Sequence, residues 1–303
     1  MRIGTRGSAL ALVQSEHVRD LIPGEHRMIV IKTTGDLNPV ASLSRMGGKG
    51  VFTKEIEEAL LREEIDLAVH SLKDLPTDES PGLRLAALLR REDPRDAFVS
   101  RDGTPFESLR SGAVVGTSSL RRRSQVLARR PDLRVTELRG NVPTRLARLT
   151  EGHLDAIIVA AAGLNRLKLS GRATQVLEES VMLPAPGQGV LAIQIRAGDR
   201  ATAAAVQALN DAVSAAEATA ERALLLGLGG GCLVPVGARA RAKGGTIELS
   251  AYVGHPDGRP ALRSSASGPV HAPEDLGRAL AVIMMGQGAR PILEEVRSEE
   301  RFP

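Results

Sequence analysis

The sequence contains a single cysteine, Cys232, which directly follows three glycines in the stretch 229–235 (GGGCLVP). A lone cysteine is most often a small buried apolar residue, and this alternative stays open. The glycines, however, remove side-chain bulk from one flank and allow another molecule to come close. Because the chain has no second cysteine and no Cys/His cluster, neither disulfide chemistry nor zinc binding is expected. A nucleophile or a point of covalent attachment remains.

A second candidate is the stretch 70–76 (HSLKDLP), which follows the apolar segment 65–70 (IDLAVH). A nearly continuous apolar segment is typical of a buried parallel strand, so the polar residues lie at the carboxyl end of that strand. Asp74, beside Lys73, could act there as a general base or stabilise a cation. The alternative is an aspartate that only begins the turn before Pro76.

Two further segments, Thr5–Ser8 and Gly116–Arg123, could bind an anion. Each follows a predicted strand and opens a predicted helix. Free backbone N–H groups, the positive end of the helix dipole, hydroxyls and arginines therefore meet there. Either segment alone is also explained by helix capping and solvated arginines. Two equivalent segments at facing domain edges favour a ligand, because open α/β sheets bind ligands at the carboxyl ends of their strands.

Two arginines and a glycine-rich loop carry weaker signals. Arg139 ends a predicted strand, and Arg145 lies in the first turns of the next helix. A cation near a helix N-terminus is unfavourable with the dipole, so an anionic partner would explain Arg145, although a surface position is an equal alternative. The loop 47–50 (GGKG) lacks the spacing of a phosphate-binding P-loop. It is compatible with a lid or with a plain flexible loop.

The elements that must position these residues are strands alternating with helices. Strands are predicted at 2–5, 27–32, 65–70, 114–117, 133–138, 155–161 and 190–195. Helices are predicted at about 8–20, 52–62, 118–129 and 143–149, with Ser8 as the cap of the first and Ser118 or Ser119 as the cap of the third. This alternation predicts a doubly wound α/β architecture.

The two halves of this pattern match each other in three places. The matching pairs are 3–10 with 115–120, 50–54 with 140–145, and 64–69 with 153–158. Their equal order and unequal spacing predict two related α/β domains and not a solenoid. Proline-containing stretches at 91–95 and 183–189 flank the second half, and the strand at 190–195 is expected to return to the first domain. Two linkers would then join two lobes as a hinge.

A third unit follows these two domains. It is predicted to contain an alanine-rich helix at 212–226, strands at 234–240, 246–253 and 261–267, and helices near 272–286 and 290–297. We therefore expect two periplasmic-binding-protein-like α/β domains joined by a two-strand hinge, plus a small C-terminal α+β domain with a three-stranded antiparallel sheet. The expected boundaries are 1–93 with 187–210, 94–186 and 211–303.

Composition narrows the functional classes. A chain of 303 residues with 42% hydrophobic and 25% charged residues is typical of a globular protein of two or three domains. A net charge of only +4 and few aromatic residues argue against nucleic-acid binding. Lysine occurs six times among the 40 basic residues, which reflects genome composition or recognition of carboxylate and phosphate groups by arginine. Neither a signal peptide nor a membrane-spanning run is seen, and we expect a cytoplasmic protein without a membrane partner. No coiled-coil seam is present, which favours a monomer, and no metal is expected.

Together these motifs resemble one family, the porphobilinogen deaminases, also called hydroxymethylbilane synthases. They occur in the family's order from residue 4 to about 237. The motifs are 5–8 (TRGS), 47–50 (GGKG), 69–76 (VHSLKDLP), 91–98 (REDPRDAF), 115–122 (VGTSSLRR), 138–142 (LRGNV) and 221–222 (ER) through 230–235 (GGCLVP). The stretches HSLKD and GTSSLRR are the most specific, and the resemblance fades beyond about residue 240.

The resemblance implies an enzyme with a dipyrromethane cofactor bound by a thioether to Cys232. Four porphobilinogen molecules would be joined head to tail with release of ammonia, and hydrolysis would release linear hydroxymethylbilane. Each pyrrole ring carries an acetate and a propionate, so the growing chain is a polyanion that arginines suit. Loss of ammonia leaves a cation, and Asp74 resembles the carboxylate that stabilises it.

The resemblance also implies which residues surround the ligands. Those expected at the cofactor, besides Cys232, are Ser71, Lys73, Thr117, Ser118, Ser119, Arg121, Arg122, Arg139 and Gly189. Those expected at the substrate are Arg6, Ser8, Gln14, Arg139, Arg145, Arg166 and Gln188. Lys49 and Phe52 are expected in the lid loop. Thr34 stands where some members carry arginine, so the loop 33–36 is left out of the binding set.

The main alternative is a two-lobed anion-binding module without catalysis. It would need the hinge and the helix N-termini, but it would have no use for Asp74 or Cys232. A nucleic-acid binder that uses the arginines at 121–123 is a weaker alternative for the reasons of composition given above.

Overall fold

The computed structural model describes residues 1–34, 53–230 and 234–301, with the backbone alone for 299–301. The predictions for Cys232, Lys49, Phe52 and the glycine-rich loop 47–50 lie outside the described residues.

Three sheets organise the described chain. The strands are β1 Arg2–Arg6, β2 Arg27–Ile31, β3 Leu67–Ser71, β4 Leu83–Leu88, β5 Asp96–Ser100, β6 Val114–Gly116, β7 Arg134–Thr136, β8 Ala156–Ala160, β9 Gln175–Val176, β10 Leu191–Arg196, β11 Val236–Lys243, β12 Thr246–Gly254 and β13 Ala261–Pro269. The α-helices are α1 Ala9–Leu21, α2 Lys54–Leu61, α3 Leu120–Arg129, α4 Val142–Thr150, α5 Ala161–Arg166, α6 Arg200–Val206, α7 Ala212–Gly227, α8 Pro273–Met284 and α9 Arg290–Arg301.

The first sheet has the order β2-β1-β3-β10-β4. β1 is parallel to both of its neighbours, whereas β10 runs antiparallel between β3 and β4. Leu191 pairs with Ser71 and Ile195 with Leu67, so the chain does return to the first domain after the second proline-containing stretch. That prediction is confirmed.

The second sheet repeats this plan with the order β7-β6-β8-β5-β9. β6 is parallel to its neighbours, and β5 is the antiparallel strand next to β8. In each sheet the antiparallel strand directly follows one of the two segments that cross between the domains. The predicted fold class, two related α/β domains with two crossings, is confirmed.

The predicted starts of α1 and α3 are also confirmed, because Ser8 caps the first helix and Ser119, one of the two serines expected at the second, caps the other. Ser8 Oγ accepts a hydrogen bond from the Ala11 N–H at 3.3 Å, and Ser119 Oγ accepts one from the Arg122 N–H at 3.4 Å. Helix α4 begins one residue earlier than predicted, with Asn141 as its cap. Each cap satisfies a backbone donor that the first helical turn leaves open.

The sequence prediction lacks the two-residue edge strand β9. It also lacks β4 and β5. Both are short apolar segments, and such segments cannot be assigned to strand or helix by periodicity alone. Their partners, β10 and β8, lie far away in the sequence. Only the assembled sheets therefore identify them as strands.

The third sheet, β11-β12-β13, is antiparallel, as predicted. One face packs on α7, α8 and α9 around an aliphatic core that includes Leu224, Leu249, Leu280 and Leu293. Of the helices in the described ranges, none combines the length and the apolarity that crossing a bilayer requires.

Candidate active site

Asp74 lies at the carboxyl end of β3, in a 3₁₀ turn that spans Leu72–Asp74. Leu72 and Leu75 are buried on either side of it, while Asp74 itself is exposed. Arg222 from α7 donates to the carbonyl oxygens of Leu75 at 3.3 Å and Pro76 at 2.7 Å. The carboxylate is thus presented to solvent on a turn that is held by buried leucines and by a guanidinium from the third domain. No pattern in the sequence predicts this role of Arg222.

Lys73, the preceding residue, faces the second domain. Its Nζ donates to Gln188 Oε1 at 3.1 Å. Burial lowers the pKa of Lys73 to about 8, with repulsion from Arg122 acting in the same direction and attraction by Asp74 acting against it. The ammonium group is therefore poorly solvated and would gain from an anionic partner.

Arg121 and Arg122, in the first turn of α3, both point inward to Asp96 at the start of β5. Arg121 Nη1 donates to Asp96 Oδ2 at 2.6 Å, and Arg122 Nη2 donates to Asp96 Oδ1 at 2.7 Å. Asp96 is fully buried, and despite that burial the two guanidinium groups hold its pKa well below its ordinary value. One carboxylate therefore serves two buried arginines, which leaves a net positive charge at the start of the helix.

Gln188 connects this ion group to the first domain. Its Nε2 donates to Asp96 Oδ1 at 3.0 Å and to the Pro94 carbonyl oxygen at 2.7 Å. Since its Oε1 accepts from Lys73, a single buried amide spans both linkers and both domains. The described contacts give this predicted substrate residue a bridging role, and its contact with substrate stays a prediction.

Arg145 lies near the start of α4, where its Nε donates to the Gly140 carbonyl oxygen at 2.7 Å. Burial lowers the pKa of Arg145 to about 10, and repulsion from Arg122 and Arg139 adds to this effect. Attraction by Asp74 acts in the opposite direction. Among the described residues, Arg145 has no ion pair with a carboxylate.

Arg166 and Gly189 meet each other. Arg166 Nη2 donates to the Gly189 carbonyl oxygen at 2.7 Å, and burial lowers the pKa of Arg166 to about 10. Gly189 has a φ of +91°, and a Cβ there would lie 2.3 Å from the Glu92 carbonyl oxygen. The glycine is thus required by the crossing of the two linkers, whatever it does toward a cofactor.

The remaining predicted residues lie at the two facing domain edges. Gln14 Nε2 donates to Ser71 Oγ at 3.0 Å, which ties α1 to the end of β3. Ser118 Oγ donates to the Leu138 carbonyl oxygen at 2.8 Å, and Thr117 Oγ1 accepts from the Ser119 N–H at 3.2 Å. Ser8 caps α1 as described above, Arg6 ends β1, and Arg139 pairs with Glu137.

Helix α1 of the first domain touches α5 of the second domain at Gly163. A Cβ at Gly163 would lie 3.7 Å from Leu10 Cδ2 and 3.6 Å from Val142 Cγ2. The two edges that carry the predicted anion-binding segments therefore face each other, as the sequence analysis expected.

We call Lys73, Arg121, Arg122 and Arg145, with Asp74 and Asp96, the edge cation cluster. Its cations outnumber its carboxylates, and burial depresses the pKa of Lys73, Arg121 and Arg145. A ligand with several carboxylates would restore the charge balance and replace the lost hydration. The dipyrromethane group, with an acetate and a propionate on each ring, fits this donor set.

A second ionic group, missed by the sequence analysis, joins the linkers to the third domain. We call Arg91, Arg239, Glu179, Glu217 and Glu221 the linker ion network. Arg91 Nη2 lies 3.1 Å from Glu221 Oε1 and its Nε lies 3.3 Å from Glu217 Oε2. Glu221 also accepts from the backbone N–H groups of Gly187 at 2.7 Å and Ala240 at 2.9 Å. Glu221 occurs in a quoted family motif, but no local pattern shows its partners.

The fold and this site define a class: a two-lobed α/β protein whose facing domain edges bring several cations together with one exposed carboxylate, an arrangement suited to a polyanionic ligand. Within the described residues, no group of three metal-ligating side chains is found.

Comparison with known proteins identifies the family within that class. The sequence model described as "Porphobilinogen deaminase, dipyromethane cofactor binding domain" matches residues 1–204, and that of the "Porphobilinogen deaminase, C-terminal domain" matches residues 215–286. The chain belongs to the porphobilinogen deaminase family.

Curated relatives agree over nearly the whole length. The porphobilinogen deaminase of Thiobacillus denitrificans is 48% identical over 97% of this chain and 98% of its own. That of Desulforudis audaxviator is 48% identical over 98% of this chain and 97% of its own length. That of Thermus thermophilus is 47% identical over 97% of this chain and 98% of its own length.

Family membership establishes the activity in outline. The chain is a transferase of tetrapyrrole biosynthesis, a hydroxymethylbilane synthase that acts on porphobilinogen and uses a dipyrromethane cofactor. The alternative of a binding module without catalysis is not favoured. The C-terminal match also extends the family likeness beyond residue 240, where the sequence motifs fade.

Proposed function

We propose that Asp74 is the catalytic carboxylate of the condensation and that the edge cation cluster binds the acidic side chains of substrate and product. The observation that carries this proposal is the exposed carboxylate of Asp74 at the end of a strand. This carboxylate lies next to Lys73 in the sequence and attracts both Lys73 and Arg145 electrostatically. We further propose that Cys232 holds the dipyrromethane, which supplies, when bound, the pyrrole carbon to which the first substrate is joined.

Asp74 has two tasks in this proposal. Loss of ammonia from porphobilinogen leaves a cation whose charge is shared with the pyrrole nitrogen, and arginines alone would repel that cation. An anionic carboxylate beside the ring N–H stabilises the cation. After the new carbon–carbon bond forms, the same carboxylate can take the proton that the ring must lose.

The cations have a different task. Lys73, Arg121, Arg122 and Arg145 carry more positive charge than Asp74 and Asp96 neutralise. The acetate and propionate of each ring would complete the balance, because charge-assisted hydrogen bonds to guanidinium groups are strong where water is scarce. The guanidinium groups of Arg121 and Arg122 would then donate hydrogen bonds both to Asp96 within the protein and to a carboxylate of the ligand.

The other implied residues are assigned by the same reasoning. Ser71, Thr117, Ser118, Ser119, Arg139 and Gly189 are proposed at the cofactor. Arg6, Ser8, Gln14, Arg139, Arg145, Arg166 and Gln188 are proposed at the substrate, and Lys49 and Phe52 at a lid. We also propose the domain boundaries 1–93 with 187–210, 94–186 and 211–303, and a cytoplasmic monomer that binds neither nucleic acid nor membrane.

Intact-mass measurement of the purified wild-type chain tests the attachment. We expect an excess mass equal to two linked pyrrole rings, which a Cys232→Ala variant lacks. An active wild-type chain with the unmodified mass would contradict the attachment, and so would a modified Cys232→Ala chain. Peptide mapping of the extra mass to the 229–235 stretch completes the assignment.

A further inference from the structure

The C-terminal helix α9 brings Arg297 to the end of α7, the helix that leads into the stretch 229–235. Ile292, Leu293 and Val296 are buried and fix one face of α9 in the third domain. Ile292 and Leu293 belong to the same core cluster as Leu228. Arg297 directly follows Val296, so the packing of this helix places its side chain beside Leu228.

Arg297 contacts the chain where α7 ends. Its Nη2 donates to the Leu228 carbonyl oxygen at 2.9 Å. Leu228 is the C-terminal capping residue that follows α7, and its N–H donates to the Leu224 carbonyl oxygen at 3.0 Å. A cation at a helix C-terminus satisfies an open carbonyl group and is favourable with the dipole.

The next two residues are glycines for a visible reason. Gly229 has a φ of +96°, and a Cβ there would lie 2.0 Å from Arg297 Nη2. Gly230 has a φ of +61°, and a Cβ there would lie 3.0 Å from Thr77 Oγ1. Both conformations favour glycine. The guanidinium of Arg297 thus occupies the space that a side chain at position 229 would need.

The turn is therefore confined from two sides. Arg297 lies against Gly229, and Thr77, three residues after Asp74, lies against Gly230. Arg222 holds the same Asp74 loop by its donation to the Pro76 carbonyl oxygen. The direction in which the chain leaves α7 is set by contacts from α9 and from the loop of Asp74.

We propose that Arg297 is a positioning residue for cofactor attachment: it fixes the turn Leu228–Gly230, from which the chain continues to the proposed attachment residue Cys232. This inference rests on the proposed attachment at Cys232. Arg297 touches no reacting atom, so its loss should slow attachment and loosen the turn while the catalytic residues stay in place. It also assigns a function to the C-terminal helix, which lies beyond the family motifs.

The test compares full-length chains expressed under a short, identical induction. For Arg297→Ala we expect the fraction that carries the dipyrromethane mass to fall about tenfold or more, because small misplacements of reacting groups slow bond formation strongly. Hydrogen exchange at Leu228–Gly230 should become faster. Arg290→Ala, which removes an exposed arginine from the same helix, is the matched control and should behave as wild type.

Arg297→Lys keeps a cation at the helix end and covers the case in which the alanine variant does not fold. We expect it to load to an intermediate level, since a lysine cannot lie against Gly229 as a planar guanidinium does. Folded Arg297 variants that load and exchange like wild type would overturn the inference while leaving the Cys232 attachment intact. A wild-type chain without any added mass would overturn both.

Discussion

Two buried arginine groups in this protein differ in how their charges are balanced. In the linker ion network, Arg91 and Arg239 are paired with three glutamates within the protein. In the edge cation cluster, Asp96 alone serves both Arg121 and Arg122, and among the described residues Arg145 has no carboxylate pair. With Arg241, which pairs with Glu179 at 2.7 Å, the first group has as many cations as carboxylates, whereas the second group has more cations than carboxylates.

This difference separates arginines that hold the domains together from arginines that are available to bind an anionic ligand. Removing one partner of a buried ion pair strongly destabilises the folded protein, because the remaining charge stays buried without compensation. A buried cation with like-charged neighbours lowers the stability of the ligand-free protein. Binding of an anion beside it offsets that cost. We therefore expect mutations in the two groups to change different measurable quantities.

The largest effect is expected at the exposed carboxylate of the edge cation cluster. Asp74→Ala should lower kcat by about 10²- to 10⁴-fold, since it removes both the cation stabiliser and the proton acceptor. Cofactor mass and thermal unfolding should stay unchanged because Asp74 is exposed. Glu79→Ala, an exposed carboxylate five residues away, is the control. Turnover close to wild type would remove Asp74 from the mechanism.

The next effect concerns the linker ion network. Glu221→Gln should destabilise the protein by about 3–5 kcal/mol, because it leaves Arg91 buried without its full charge partner. Denaturant unfolding of the cofactor-loaded enzyme measures this loss. Glu274→Gln breaks an exposed pair with Arg278 and should have no measurable effect. If the two variants unfold alike, the network does not hold the linkers.

Arg145 tests the expectation that cations of the edge cation cluster bind the substrate and do not stabilise the fold. Arg145→Ala should raise KM for porphobilinogen about tenfold, the loss expected for a charge-assisted hydrogen bond. Its Tm should be equal to or above that of wild type, because the variant removes a partly buried cation that Arg122 and Arg139 repel. Steady-state kinetics and calorimetry on one preparation decide the matter. A marked fall in Tm with unchanged KM would place Arg145 among the structural arginines.

The smallest effect is a pH dependence that arises from Lys73. Its pKa in the folded protein, about 8, lies below the ordinary value of 10.5, so the folded state loses this proton first. Substrate affinity should therefore weaken as pH rises through about 8. The unfolded state binds more protons than the folded state between the two values, so this group makes stability rise with pH over the same interval.

A Lys73→Arg variant should keep its charge and shift that loss of affinity to higher pH. Substrate KM measured from pH 7 to 9.5 on the wild type and on the variant makes the comparison. Identical profiles would show that a group other than Lys73 titrates in this interval.

The sequence alone determined those features that depend on local pattern. Ser8, and either Ser118 or Ser119, were identified as helix caps because capping needs only the next three residues, and the structure selects Ser119 of the two. The paired α/β domains followed from strand–helix alternation and from matches between the two halves. Asp74 was singled out because polar residues directly follow an apolar strand. The family motifs added the roles that are proposed for these residues.

Only the tertiary structure decided which charges are balanced. Asp96 meets Arg121 and Arg122, and Glu221 meets Arg91, across long stretches of chain, and the second contact also joins a linker to the third domain. Arg297 reaches Leu228 from the last helix in the same way. No periodicity encodes such pairs, because an ion pair between distant residues depends on how helices and sheets pack and on how much water that packing excludes. The sequence supplied the arginines, and packing decided which of them remain for a ligand.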